Sequence, residues 1–145
     1  MRRSGGSEVV MQAAVVFPGQ GSIVPGAGRA WVDHPAWSVV AEVEAIADRP
    51  VAPWLLEAPA ASLATTDAAQ IATLTLSLVA WEALRPVLGH DAPVAFAGHS
   101  LGQVTALIAA GAVERSAGIA LAVARADACR ACDDETPGRL AALLG

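Results

Sequence analysis

Val94-Ala95-Phe96-Ala97-Gly98-His99-Ser100-Leu101-Gly102 is an apolar run that ends in Gly-x-Ser-x-Gly. A strand that turns straight into a helix through this motif forms a nucleophile elbow. The turn is tight, so both flanks of the serine need small residues. Ser100 is left exposed at the top of the sheet, and the helix behind it points free N–H groups and its positive dipole end at the reacting centre. That geometry suits acyl transfer: Ser100 attacks and carries the acyl group, and the Leu101 backbone N–H serves the oxyanion. A serine hydroxyl needs a base, and the chain has three histidines.

The 145 residues suffice for one domain with a core. The chain is 54% hydrophobic and 16% charged, which excludes disorder. Such apolar content means either an unusually full core or apolar surface meant for something else to cover. A net charge of −5 argues against nucleic acid as a partner. Two cysteines make no disulfide framework, so a reduced cytoplasmic setting is expected. The apolar stretches around 71–81 and 104–113 are shorter than the roughly 18–20 residues of a membrane span, so no membrane association is expected. Arg2-Arg3 is followed by Ser4-Gly5-Gly6-Ser7-Glu8 rather than an apolar signal core. Residues 1–12 read as a flexible lead-in.

Ala13-Ala14-Val15-Val16-Phe17 reads as a buried parallel strand, followed by a glycine-rich loop over Pro18–Gly28. Helix is expected over 28–47, broken near His34-Pro35, with Trp31, Val39, Val43 and Ile46 inward. Residues 49–63 read as irregular connection with room for one helical turn. The clearest helix is 67–84, with Ile71, Leu74, Leu78, Trp81 and Leu84 at three- and four-residue spacing and Pro86 as its stop. After the elbow come helices over 101–110, ended by Gly111, and over 117–132. Residues 139–144 read as the beginning of a strand. Strands alternating with helical crossovers make an α/β fold around a parallel sheet.

In the loop Phe17-Pro18-Gly19-Gln20-Gly21-Ser22, glycines on both sides let the Gln20 backbone N–H approach a substrate oxygen. An oxyanion hole needs two donors, and Gln20 supplies the one that Leu101 does not. Cys129-Arg130-Ala131-Cys132 is a C-x-x-C near a helix C-terminus, where the dipole disfavours the thiolate, so these cysteines read as incidental and no metal site is expected. His99 reads as a packed structural residue turned away from Ser100. His34 and His90 read as surface residues.

With these motifs, the Thr66…Gln70…Ser77…Ala80 helix, Val123-Ala124-Arg125, and Gly138-Arg139-Leu140-Ala141-Ala142-Leu143-Leu144-Gly145, the chain resembles the malonyl-CoA:acyl carrier protein transacylases and the acyltransferase domains of polyketide synthases. The resemblance covers nearly all of 13–145. It implies an α/β-hydrolase-like parallel sheet core over 13–138, cut off at the start of a ferredoxin-like small subdomain over 139–145. It implies Ser100 as the acylated nucleophile, the Gln20 and Leu101 backbones as the oxyanion hole, and Arg125 as the binder of the malonyl carboxylate. A guanidinium suits that task, since its planar fork holds a carboxylate through two parallel hydrogen bonds. No bound cofactor is implied: coenzyme A thioester is the substrate and acyl carrier protein the acceptor, in fatty acid or polyketide synthesis. Arg115, Arg130 or Arg139 would offer the carrier a basic patch. The chain departs from the family pattern at Ile23, Ile71, Gln103 and Arg125-Ala126.

Members of this family are roughly twice as long, and their catalytic histidine lies past residue 145. Two alternatives follow. The chain is an inactive truncated or split acyltransferase half that needs a complementary C-terminal half chain to supply histidine, or it is an α/β-hydrolase-type serine esterase. The esterase reading explains the elbow but neither Gly19-Gln20-Gly21 nor Arg125.

Overall fold

A computed structural model describes residues 13–57, 60–88 and 94–138. The strand expected over 139–145 and His90 lie outside the described residues. Two strands, β1 (Ala13–Phe17) and β2 (Val94–Gly98), pair in parallel with Phe17 opposite Gly98. Three helices separate them: α1 (Ser38–Ala47), α2 (Ala52–Leu56) and α3 (Thr66–Leu88). Two more follow, α4 (Gly102–Ala109) and α5 (Arg115–Glu135). The α/β order and the parallel sheet match the sequence reading.

The core sits mainly among helices. Val39, Val40 and Val43 of α1, Ile71, Leu74 and Leu78 of α3, and Ile119, Ala122 and Ala126 of α5 are all buried. This places α3 at the centre, packed against α1 on one side and α5 on the other. Among the described residues α3 is the one helix long and apolar enough to cross a membrane, at 23 residues and a mean hydropathy of 1.4. The sequence reading placed no stretch of that length here. Its inward side carries Gln70, Thr73 and Thr75, all buried, with the two threonine hydroxyls donating to the carbonyls of Ala69 and Ile71. It is the core helix of this fold.

Several expectations are corrected. β1 is not buried on both faces. Val15 and Phe17 pack with Phe96 against Trp81 and Ala106, whose ring and methyl come from α3 and α4. The Trp81 and Phe96 rings meet edge-on at 5.1 Å, an arrangement that aligns ring edge with ring face. On the other face Val16 is 69% exposed and Ala14, Ala95 and Ala97 are exposed. Helix α3 runs through Pro86 instead of stopping before it. Proline removes the N–H that would reach the Glu82 carbonyl, but residues 84–87 are exposed, so water can take that acceptor. Leu84 is accordingly 39% exposed instead of inward.

The region expected as helix over 28–47 begins with two 3₁₀ turns, Arg29–Trp31 and Pro35–Trp37, before α1. Residues 49–63 contain α2 and a 3₁₀ turn at Ala60–Leu63. Helix α5 starts two residues earlier than expected because the Glu114 carboxylate accepts from the Ala117 N–H at 3.0 Å. That N-cap satisfies one of the orphan donors of the first turn.

Candidate active site

Ser100 has φ 52°, a left-handed conformation that costs a side-chain-bearing residue about 1–2 kcal/mol. Close packing imposes it. A Cβ at Gly98 would lie 2.0 Å from the Gly102 carbonyl oxygen, and one at Gly102 would lie 2.3 Å from the Phe17 carbonyl oxygen. The same Phe17 carbonyl accepts the His99 N–H at 3.1 Å, so the turn is fastened to the end of β1. The chain then enters α4 directly, with the Gly102 N–H on the His99 carbonyl at 2.8 Å and the Gln103 N–H on the Ser100 carbonyl at 3.1 Å. The serine side chain is exposed, while Leu101 beside it is 1% exposed and anchors the turn in the core.

Ser100 opens into a cavity of about 650 Å³ whose lining includes Gln20, Thr66, Gln70 and Arg125. Four elements meet here: the loop after β1, the first turn of α3, the elbow, and the middle of α5. Arg125 Nη2 donates to Ser100 Oγ at 2.9 Å. Its other terminal nitrogen, Nη1, donates to Gln70 Oε1. Gln70 Nε2 donates to Thr66 Oγ1 at 3.1 Å, and the Thr66 hydroxyl donates to Gln20 Oε1 at 3.0 Å. A continuous relay therefore joins the nucleophile to the glycine-flanked loop.

The expected residues thus come together: Ser100, Gln20 and Arg125 line one cavity, and Leu101 follows the serine. Leu121 is 52% exposed, and the buried stripe of α5 is Gly118, Ile119, Ala122 and Ala126, which leaves Arg125 at its edge. Gln70 and Thr66 were missed as site residues. The signal was a carboxamide set in the apolar run Ala68-Ala69-Gln70-Ile71-Ala72, on the inward side of α3. Cys129 and Cys132, read as incidental, line the outer part of the same cavity as free thiols.

Neither described histidine faces Ser100 as a base would. A Cβ on Gly19 would lie 2.7 Å from His99 Nδ1, so that ring lies over the Gly19 loop; His99 is exposed rather than enclosed. His34 is exposed, and its Nδ1 accepts from the Ala36 N–H at 3.1 Å, capping the second 3₁₀ turn. The basic patch expected for a carrier protein is already neutralised where it is described. Arg115 pairs with Glu42 and Glu82, and Arg130 with Asp67 and Asp134. Asp67, at the start of α3, has its carboxyl held below the usual aspartate value. Burial pushes it up, but the Thr65 hydroxyl, the backbone N–H groups of Ala68 and Asp67 and the Arg130 charge together outweigh that. No group of three or more potential metal ligands occurs among the described residues.

No family model matches the chain. It is 35% identical over 140 residues to the mitochondrial malonyl-CoA-acyl carrier protein transacylase of Homo sapiens, covering 92% of this chain and 35% of that protein. The crystal structure of the Mycobacterium tuberculosis malonyl-CoA-acyl carrier protein transacylase superposes with a TM-score of 0.78 at 28% identity, over 88% of this chain and 43% of that one. A type II polyketide synthase malonyl-transacylase, solved in complex with its acyl carrier protein, superposes with a TM-score of 0.75 at 29% identity, over 88% of this chain and 40% of that one. The chain spans less than half the length of these relatives, and over that span it shares their fold.

Proposed function

We propose, from its likeness to part of the malonyl-CoA:acyl carrier protein transacylases, that this chain carries the nucleophile side of an acyltransferase site. Its parallel sheet is then part of an α/β-hydrolase-like core. The substrate is a coenzyme A thioester of malonyl or a related acyl group, and the acceptor is the thiol of an acyl carrier protein in fatty acid or polyketide synthesis. No bound cofactor takes part.

The chemistry is a ping-pong exchange. Ser100 Oγ attacks the thioester carbonyl and gives its proton to a base. The carbonyl oxygen becomes an oxyanion held by the backbone N–H groups of Gln20 and Leu101. The carbon–sulfur bond breaks, the thiol of coenzyme A leaves with a proton, and a Ser100 ester remains. The carrier thiol then attacks that ester through the same oxyanion, and Ser100 recovers its proton. Arg125 holds the free carboxylate of the acyl group throughout. The observation that carries this reading is the Arg125 guanidinium 2.9 Å from Ser100 Oγ in one cavity, which puts a group suited to bind a carboxylate beside the nucleophile.

The base is proposed to be a histidine outside the described residues, supplied by a complementary C-terminal half. The position of the His99 ring over Gly19 and the capping role of His34 favour this over either described histidine.

The test is intact mass after incubation with malonyl-CoA. A malonyl adduct on the wild-type chain that is absent from Ser100→Ala supports the acyl-enzyme. An adduct that survives Ser100→Ala sinks it. Hydrolysis of neutral esters independent of Arg125 would favour a serine esterase instead.

A further inference from the structure

Arg125 differs from the other arginines that meet side chains. Arg49, Arg85, Arg115 and Arg130 each lie within ion-pair distance of a carboxylate, whereas among the described residues the side chains that accept from Arg125 are Gln70 and Ser100, both neutral. Gln70 is 2% exposed. Burying a carboxamide is unfavourable unless both its ends are bonded. Here both are, and in one sense only. Nε2 donates to Thr66 Oγ1, whose own proton goes to Gln20, so the carbonyl end must face the guanidinium.

A glutamate of nearly the same shape would satisfy the Arg125 N–H equally well. It would also neutralise the guanidinium and repel a second carboxylate. We infer that Gln70 determines specificity: it holds the Arg125 fork in place by an uncharged hydrogen bond, and so keeps the positive charge for an acyl group that ends in a carboxylate. Gln70 acts through Arg125 and is a positioning residue. This inference rests on the acyltransferase reading of the site.

The experiment is isothermal titration of the full chain with malonyl-CoA and with acetyl-CoA, for the wild type, Gln70→Glu and Gln70→Met, with the unfolding midpoint of each. The wild type should prefer malonyl-CoA. Gln70→Glu should weaken malonyl-CoA binding about 100-fold and leave acetyl-CoA within about threefold, because like charges now meet in a partly desolvated site. Gln70→Met keeps the bulk, removes the acceptor, and should weaken malonyl-CoA about tenfold through loss of one charge-assisted hydrogen bond. A purely structural glutamine would lower affinity for both thioesters alike, and that result overturns the inference. So does undiminished malonyl-CoA binding by either variant; if Gln70→Glu does not fold, Gln70→Met decides. A wild type with no preference for malonyl-CoA overturns the reading of the site itself, and the inference with it.

Discussion

Arg125 Nη2 donates to Ser100 Oγ across 2.9 Å, from the middle of α5 to the elbow between β2 and α4. The bond occupies a lone pair of the nucleophile and leaves its proton free to be given away. It also places a guanidinium beside the reacting oxygen.

Replacing this arginine separates charge from geometry. In Arg125→Lys the charge stays but the planar fork is lost, and Ser100 acylation by malonyl-CoA should fall at least about tenfold. Acylation by acetyl-CoA, which has no carboxylate to hold, should change little. Rates of adduct formation by mass spectrometry measure both, and equal losses for the two thioesters would show that Arg125 merely supports the fold.

The elbow stores strain, so its variants should move stability in opposite directions. Ser100→Gly removes the side-chain penalty at φ 52° and should stabilise the chain by about 1 kcal/mol while abolishing the acyl-enzyme. Gly98→Ala puts a methyl 2.0 Å from the Gly102 carbonyl oxygen and should destabilise by about 3 kcal/mol or more. Urea unfolding followed by circular dichroism gives both values; a Ser100→Gly chain less stable than wild type contradicts the strain.

Acid should loosen α5 at its start. The Glu114 carboxyl is held below the ordinary glutamate value by the Ser116 hydroxyl first and by the backbone N–H groups of Ala117, Ser116 and Arg115, with a small opposing effect of burial. A group whose folded value is depressed stabilises fully above its unfolded value, near pH 4.5 here, and that contribution disappears as pH falls through the folded value. The unfolding midpoint of Glu114→Gln should therefore lie below that of wild type at pH 7, and the gap should close as pH falls through the folded value. A gap that stays constant with pH would leave the cap without an electrostatic part.

Arg115 ties three helices together, since its guanidinium meets Glu42 of α1 and Glu82 of α3 from the first turn of α5. The Glu82 side chain is 16% exposed and also meets Arg85, so removing Arg115 leaves it with one exposed partner in place of two. Arg115→Ala should cost about 1–2 kcal/mol of stability. Loss within 0.3 kcal/mol, roughly the noise of such comparisons, would show the pairs to be ornamental.

The sequence already spoke for the elbow, because Gly98 and Gly102 are local necessities that a five-residue window displays. It spoke for β1, β2 and the long helices through runs and spacing. Arg125 entered the site reading through resemblance, as its own helix face gives no sign of it. The relay through Gln70 and Thr66 was not legible as a role, since a hydrogen bond from residue 125 to residue 70 is decided by how α3 and α5 pack. The bare face of β1 escaped for a related reason: Val15 and Val16 are identical residues, and only the position of Trp81 says which of them is covered. Pro86 shows a rule yielding to context, because a helix stop is weak where the freed carbonyl faces water.

The attachment of the elbow to the end of β1 makes the nucleophile a gauge of strand pairing. The Phe17 carbonyl takes the His99 N–H and crowds Gly102, so Ser100 keeps its left-handed backbone only while β1 and β2 stay in register. Two short strands with one open face bury fewer side chains than the core of α1, α3 and α5, to which Leu101 and Trp81 join them. Local opening of the strand pair relaxes the turn and disarms the serine while α1, α3 and α5 remain folded. Competence of Ser100 should thus fade at lower denaturant than helicity does, as the failure of a joint and not of the whole molecule.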